Sequence, residues 1–204
     1  MKVKLLRVGP IGTNCYILED DQTNLAAVID PGDEPELIQE ALEKEGVEVR
    51  YLLLTHGHYD HTTAVPALHR VYPQADIYIH QADANGAGST LFPLAGRGGR
   101  SEALRRGGCD PPGGPRDPGA PHPRPFPRLR HPEGGGRAFH RGHPVRRLLR
   151  PHRPAGGSYE QIMQSLKRLG ELKGDFHVCP GHEATSTLER ERRSNPFLME
   201  AMRS

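Results

Sequence analysis

A chain of 204 residues, 35% hydrophobic and 25% charged, is long enough to bury one sizeable core and short for two. No run of about eighteen apolar residues occurs, which excludes a membrane-spanning helix. Cys15, Cys109 and Cys179 lack C-x-x-C spacing, which argues against a disulfide framework or a thiolate zinc site, and the net charge of +2 is unremarkable until it is resolved along the chain.

From the N-terminus, Lys2 to Val8, Asn14 to Glu19, Leu25 to Asp30, Arg50 to Thr55 and Ala75 to His80 read as strands, apolar or β-branched runs bounded by Gly, Pro and Asp. The first of these follows Met1 without an apolar signal core, so one cytoplasmic domain over residues 1–204 is expected. Pro35 to Lys44 reads as a helix, with Leu37, Ile38, Ala41 and Leu42 on one face and Gly46 just past its end. Thr63 to Val71 is a second, stopped near Pro73. Later, Ser158 with Gln161 makes a capping box for a third helix, whose apolar stripe is Ile162, Met163, Leu166 and Leu169. Phe176 to Cys179 reads as a strand, and Ser186 with Glu189 as the cap of a last helix. Strands alternating with helices mean an α/β layered architecture.

The segment Thr55-His56-Gly57-His58-Tyr59-Asp60-His61 follows the apolar run Tyr51-Leu52-Leu53-Leu54. A buried strand ending in a tight polar loop delivers His56, His58, Asp60 and His61 to one sheet edge. Imidazole nitrogens and a carboxylate there suit zinc or iron and leave room for water. A lone histidine is ordinarily a surface or satisfied core residue, as His69, His80 and His177 are read here; four potential ligands within six residues are not explained that way.

Residues Pro93 to Gly157 are a different material. They hold fourteen arginines against four acids, thirteen of the twenty prolines and fourteen of the twenty-four glycines, and no Lys, Ile, Tyr, Asn, Gln or Thr. The local balance is +10, leaving −8 for the rest of the chain. Such a stretch ordinarily reads as a disordered linker or a basic nucleic-acid tail. Its favoured residues all have GC-rich codons and its missing ones AT-rich codons, the pattern of a GC-rich gene read out of frame.

In order along the chain, Gly12-Thr13-Asn14-Cys15-Tyr16-Ile17-Leu18, Val28-Ile29-Asp30-Pro31-Gly32, Thr55 to His61, Gly156 to Gln161, Pro180-Gly181-His182 and Arg193 to Phe197 resemble the metallo-β-lactamase fold hydrolases, most closely their small glyoxalase II-like members. The resemblance implies an αββα sandwich, disrupted or irregular over roughly residues 90–155. It further implies a metal-dependent hydrolase of glutathione-type thioesters that uses a metal-bound hydroxide, with a small-molecule thioester as substrate. Zn2+ is the implied cofactor, two ions per site in the intact family, with Fe or Mn as alternatives. His56 and His58 correspond to ligands of the first ion, and Asp60, His61 and His182 to ligands of the second; Asp60 is also the candidate catalytic residue.

A third histidine and a bridging aspartate complete the family's site, and the chain supplies neither at a matching position. Read one nucleotide later, the codons of Phe139 to Val145 permit Phe-Thr-Gly-Asp-Thr-Leu-Phe, the family's bridging-aspartate motif. The region of Pro121 to Arg124 permits His-Thr-Pro-Gly, part of the family's next histidine motif, and Arg106 to Asp110 permits Glu-Gly-Asp. Three motifs in one frame and in family order identify residues of about 85–155 as an aberrant, frame-shifted segment. His122 and His143 lie near the missing positions, but their neighbours do not form the strands that would aim them. The chain as written is accordingly expected to be impaired. Two alternatives stand beside the hydrolase: an iron-dependent sulfur dioxygenase of the same fold, and a non-enzymatic protein whose basic segment contacts nucleic acid. The second needs aromatic residues among the arginines, and only Phe126 and Phe139 are present.

Overall fold

The computed structural model describes residues 1–80, 102–104, 136–139 and 159–203. β1 (Lys2–Val8) and β2 (Thr13–Glu19) form an antiparallel hairpin, and β3 (Leu25–Ile29) pairs antiparallel with β2. α1 (Pro35–Glu45) then crosses over to β4 (Glu48–Leu53), which lies parallel to β3. α2 (Tyr59–Thr62) and α3 (Val65–Val71) make the next crossover, to β5 (Asp76–His80), and β6 (Glu102–Leu104) extends the sheet in parallel. The strand order is β1-β2-β3-β4-β5-β6. A second sheet is built from β7 (Gly136–Phe139), β8 (Phe176–Cys179) and β9 (Ser186–Thr187), with β7 parallel and β9 antiparallel to β8. α4 (Tyr159–Gly170), α5 (Leu188–Ser194) and α6 (Pro196–Arg203) complete the described elements.

Three apolar clusters show why the layers stack. On one face of the large sheet, Val8, Cys15, Ile17, Val28 and Leu52 pack under Ile38, Ala41 and Leu42 of α1 and Val65 and Leu68 of α3. Adjacent residues on β2 alternate faces, so Tyr16 and Leu18 point the other way from Cys15 and Ile17 and meet Cys179 of the second sheet. β2 is buried on both faces, and its centre, Cys15 to Leu18, therefore reads as an apolar run rather than an alternating one. Phe176, two residues before Val178 on β8, faces α4, α5 and α6, where Leu166, Leu188, Leu198 and Ala201 close the third cluster. Burying each such side chain contributes about 1.5–3 kcal/mol. The order is helix, sheet, sheet, helix, as the αββα expectation requires.

Element ends differ from expectation where local chemistry intervenes. The third strand stops at Ile29, because Asp30 turns to a positive φ of 51°. The second predicted helix begins later, at Val65, behind a separate turn, Tyr59–Thr62, that carries Asp60 and His61. The last helix is two helices, and its cap is Thr187, whose side chain accepts from the Arg190 N–H at 3.2 Å. Ser186 lies one residue further from the helix, paired with Val178 in β9, while Thr187 directly precedes Leu188. α1 ends as expected: Gly46, at φ 64°, donates its N–H to the carbonyls of Leu42 and Glu43. The expected cap at Ser158 and most of the stretch 90–155 lie outside the described residues. Within that stretch Glu102–Leu104 and Gly136–Phe139, which contain no proline, are strands, pairing with β5 and with Phe176–Cys179. Among the described residues no helix is long and apolar enough to cross a membrane.

Candidate metal centre

The site forms where β3 and β4 end side by side. Leu54 N–H still donates to Tyr78 O at 2.8 Å, and the chain then turns away from the sheet through Thr55 to His58 into α2. Gly32 lets this turn settle: a Cβ at that position would lie 1.7 Å from the Asp60 carbonyl oxygen, so any side chain there displaces the segment that carries Asp60 and His61. Ala64 N–H donates to Pro31 O at 3.1 Å and ties the same segment down from its other end. The C-terminal contribution is the loop after β8, which presents His182.

Asp60, His61 and His182 converge. Asp60 Oδ2 lies 3.2 Å from His61 Nε2 and 3.3 Å from His182 Nε2, and the two Nε2 atoms are 3.1 Å apart. Bonds of about 2.0–2.1 Å at near-tetrahedral angles separate donor atoms by about 3.3–3.4 Å, so the three atoms fit one divalent ion. His56 Nε2 and His58 Nδ1 lie 2.9 Å apart next to them, with the His56 and His61 rings 4.2 Å apart between centroids. All five sequence-predicted residues are thus brought together. His61 is 1% exposed, whereas Asp60 and His182 are 15% and 18% exposed, so the cluster opens to solvent on the side where those two meet.

Residues the sequence reading gave no role hold this geometry. The Asp30 carboxylate accepts from Thr55 N at 2.7 Å and Thr55 Oγ1 at 2.7 Å, and its Oδ2 lies 3.0 Å from His61 Nδ1. Thr55 Oγ1 in turn lies 3.0 Å from His56 Nδ1. One carboxylate therefore directs the Nε2 atoms of both His61 and His56 into the site, the outer-shell arrangement that raises ligand basicity and fixes the tautomer. Thr13, fully buried, donates its Oγ1 to Asp60 Oδ2 at 3.3 Å. Asp30 and Thr13 sat within recognised motifs, but nothing in their spacing shows which imidazole or carboxylate they would meet. His122 and His143 lie outside the described residues.

A family model described as the metallo-beta-lactamase superfamily matches residues 8–146. The chain belongs to the metallo-beta-lactamase superfamily. Members of this superfamily are, in the main, hydrolytic enzymes that bind metal ions. The hydroxyacylglutathione hydrolase GloC of Haemophilus influenzae is 28% identical over 222 residues, spanning 97% of this chain and 98% of that protein. Of solved structures, TTHA1623 in a di-iron-bound form is 27% identical with a TM-score of 0.60, covering 95% of this chain and 99% of that one. ETHE1 from Myxococcus xanthus, 22% identical with a TM-score of 0.58 over 96% of this chain and 84% of that one, shares the fold.

In this superfamily member the metal-free cluster carries a proton that an ion must displace. Burial pulls the His61 pKa down, but the hydrogen bonds and charges of Asp30 and Asp60 outweigh it and raise it from 6.5 to about 9. Burial likewise pushes Asp60 up, and His182 and His61 outweigh that, holding it well below the usual carboxylate range. The metal-free fold is then stabilised by His61 fully below pH 6.5, a contribution lost as pH rises towards 9. Asp60 contributes above the ordinary carboxylate pKa of 3.8 and loses its contribution only in strong acid. Since an imidazole ligand must be neutral, zinc affinity is expected to rise about tenfold per pH unit from 6.5 towards 9 and then level off. Competition with a chromophoric chelator at several pH values checks this; an affinity flat across that window contradicts it.

Proposed function

We propose that the chain derives from a glyoxalase II-like thioester hydrolase, a single catalytic domain over residues 1–204 that acts on a small glutathione-type thioester. The observation that carries this reading is the convergence of Asp60, His61 and His182 donor atoms beside the His56 and His58 pair. His56 and His58 belong to the first ion and Asp60, His61 and His182 to the second, with zinc as the expected metal. A bound divalent ion supplies a Lewis acid and lowers the pKa of its water towards 7. Asp60 stays ionised throughout the working range, and its carboxylate is the acceptor that orients the attacking water at the solvent-facing edge. Thr13 holds that carboxylate in place, and Asp30 keeps His61 and His56 from rotating away. The full-length similarity to a hydroxyacylglutathione hydrolase supports the substrate class. Two buried cysteines, Cys15 and Cys179, fit a reducing cytoplasm.

The out-of-frame segment belongs to this proposal, and strand register supports it. Phe139 of β7 pairs with Cys179 of β8. In the shifted frame the aspartate falls three residues beyond Phe139, as His182 falls three beyond Cys179. β7 and β8 are parallel, so the shifted-frame aspartate and His182 have the same offset in sequence from a pair of matched residues.

A second reading rests on the donor set itself: two imidazoles and one carboxylate around one ion also suit mononuclear non-haem iron. It corresponds to the sulfur dioxygenase alternative. The nucleic-acid reading falls on residues outside those described.

Restoring the frame across the segment and assaying the product with a glutathione thioester tests the proposal. Turnover of about 1 to 1,000 per second with zinc is expected. Oxygen consumption on a persulfide, without thioester hydrolysis, favours the iron enzyme, and neither activity refutes both.

A further inference from the structure

His182 differs from His61 and His56 in what steadies it. His61 Nδ1 is held by Asp30 and His56 Nδ1 by Thr55, whereas His182 Nδ1 has no hydrogen-bond partner among the described residues. Beyond its Nε2 contacts with Asp60 and His61, the imidazole is aimed by the backbone beneath it. That backbone is gripped by β2. Asn14 N–H donates to Gly181 O at 2.8 Å, and Asn14 Nδ2 donates to both Pro180 O at 2.9 Å and Glu183 O at 2.8 Å. Tyr16 Oη donates to the same Pro180 carbonyl at 2.7 Å. Glu183 adopts a left-handed φ of 68°, a conformation that persists in a bulky residue only where neighbours enforce it.

Asn14 is fully buried, and its Oδ1 has no partner among the described residues. An unpaired buried amide oxygen carries a desolvation cost, which an apolar residue of similar size would avoid. The two Nδ2 bonds to the loop are what set Asn14 apart from such a residue. Asn14 and Tyr16, two apart on β2, share the face that looks towards the second sheet.

We propose that Asn14 and Tyr16 are positioning residues for His182, a clamp that fixes the loop of residues 180–183 so that His182 Nε2 meets Asp60 Oδ2 and His61 Nε2. The inference rests on the reading that these three residues hold a metal ion. The clamp joins residues 164 to 169 positions apart in sequence.

The test uses the full chain and zinc alone, with affinity read by chelator competition and the melting temperature of the metal-free protein read in parallel. Tyr16→Phe and Asn14→Leu are each expected to weaken zinc binding by about 10- to 100-fold, the usual effect of removing an outer-shell partner. In a His182→Ala background, Tyr16→Phe is expected to have no further effect on zinc affinity, because the residue it positions is gone. A merely structural role would lower affinity equally in both backgrounds and overturn the proposal. Should Asn14→Leu fail to fold, Tyr16→Phe, which removes one oxygen, decides. Unchanged affinity in His182→Ala would instead overturn the metal assignment beneath it. Loss of affinity in His182→Ala with unchanged affinity in both clamp variants would overturn the clamp alone.

Discussion

Asp60→Ala in the frame-restored protein is expected to abolish thioester hydrolysis, lowering turnover by well over the 100-fold that loss of an outer-shell partner causes. Asp60 Oδ2 sits within 3.2 and 3.3 Å of two imidazole nitrogens, so its removal deletes the only anionic member of the triad and leaves His61 and His182 facing each other unscreened. Thr13 also loses its acceptor. His58→Ala acts on the other pair, where His58 Nδ1 stands 2.9 Å from His56 Nε2, and is expected to cause a loss of the same order by a separate route. Metal analysis of the two variants distinguishes the routes, since each should lack a different ion. Ordinary turnover retained in both would show that the site is misassigned.

The chain as it stands is expected to hold well under two equivalents of zinc or iron and to show little thioesterase activity. Among the described residues the second position has Asp60, His61 and His182, a complete triad, but the first has only His56 and His58. Two ions that share a water also repel each other, and a bridging carboxylate offsets that repulsion. On the family resemblance of the sequence, the chain supplies no aspartate at the position that would provide one. Elemental analysis of the purified protein, together with a glutathione thioester assay, is the check. Two equivalents per chain with turnover in the range of about 1 to 1,000 per second would refute the expectation and point to His122 or His143 as a ligand.

Both expectations depend on a site whose donor atoms could be read from the chain while their placement could not. Four of the five predicted ligands lie within six residues, so short-range geometry alone confines them to one loop after β4. The layered fold was legible for a similar reason: a bounded apolar run appears directly in Leu25–Ile29 and a period of 3.6 in Pro35–Glu45. Ends of elements were less so. Asp30 leaves the strand for a positive φ that puts its carboxylate under Thr55 and His61, and β9 runs to Thr187, so the helix starts at Leu188 with Thr187 as its cap. Each choice is made by a partner distant in sequence.

Residue identity by itself determined that His56, His58, Asp60 and His61 share one place and that His182 belongs to a proline-glycine turn, because ligand chemistry and turn chemistry are local. Only the tertiary structure decided that Asp30 steers two imidazoles, that Gly32 must lack a side chain, and that Asn14 and Tyr16 grip the loop beneath His182. Those roles are set by distances between chain segments that β-sheet register brings together, and register depends on the whole pattern of burial rather than on any single motif.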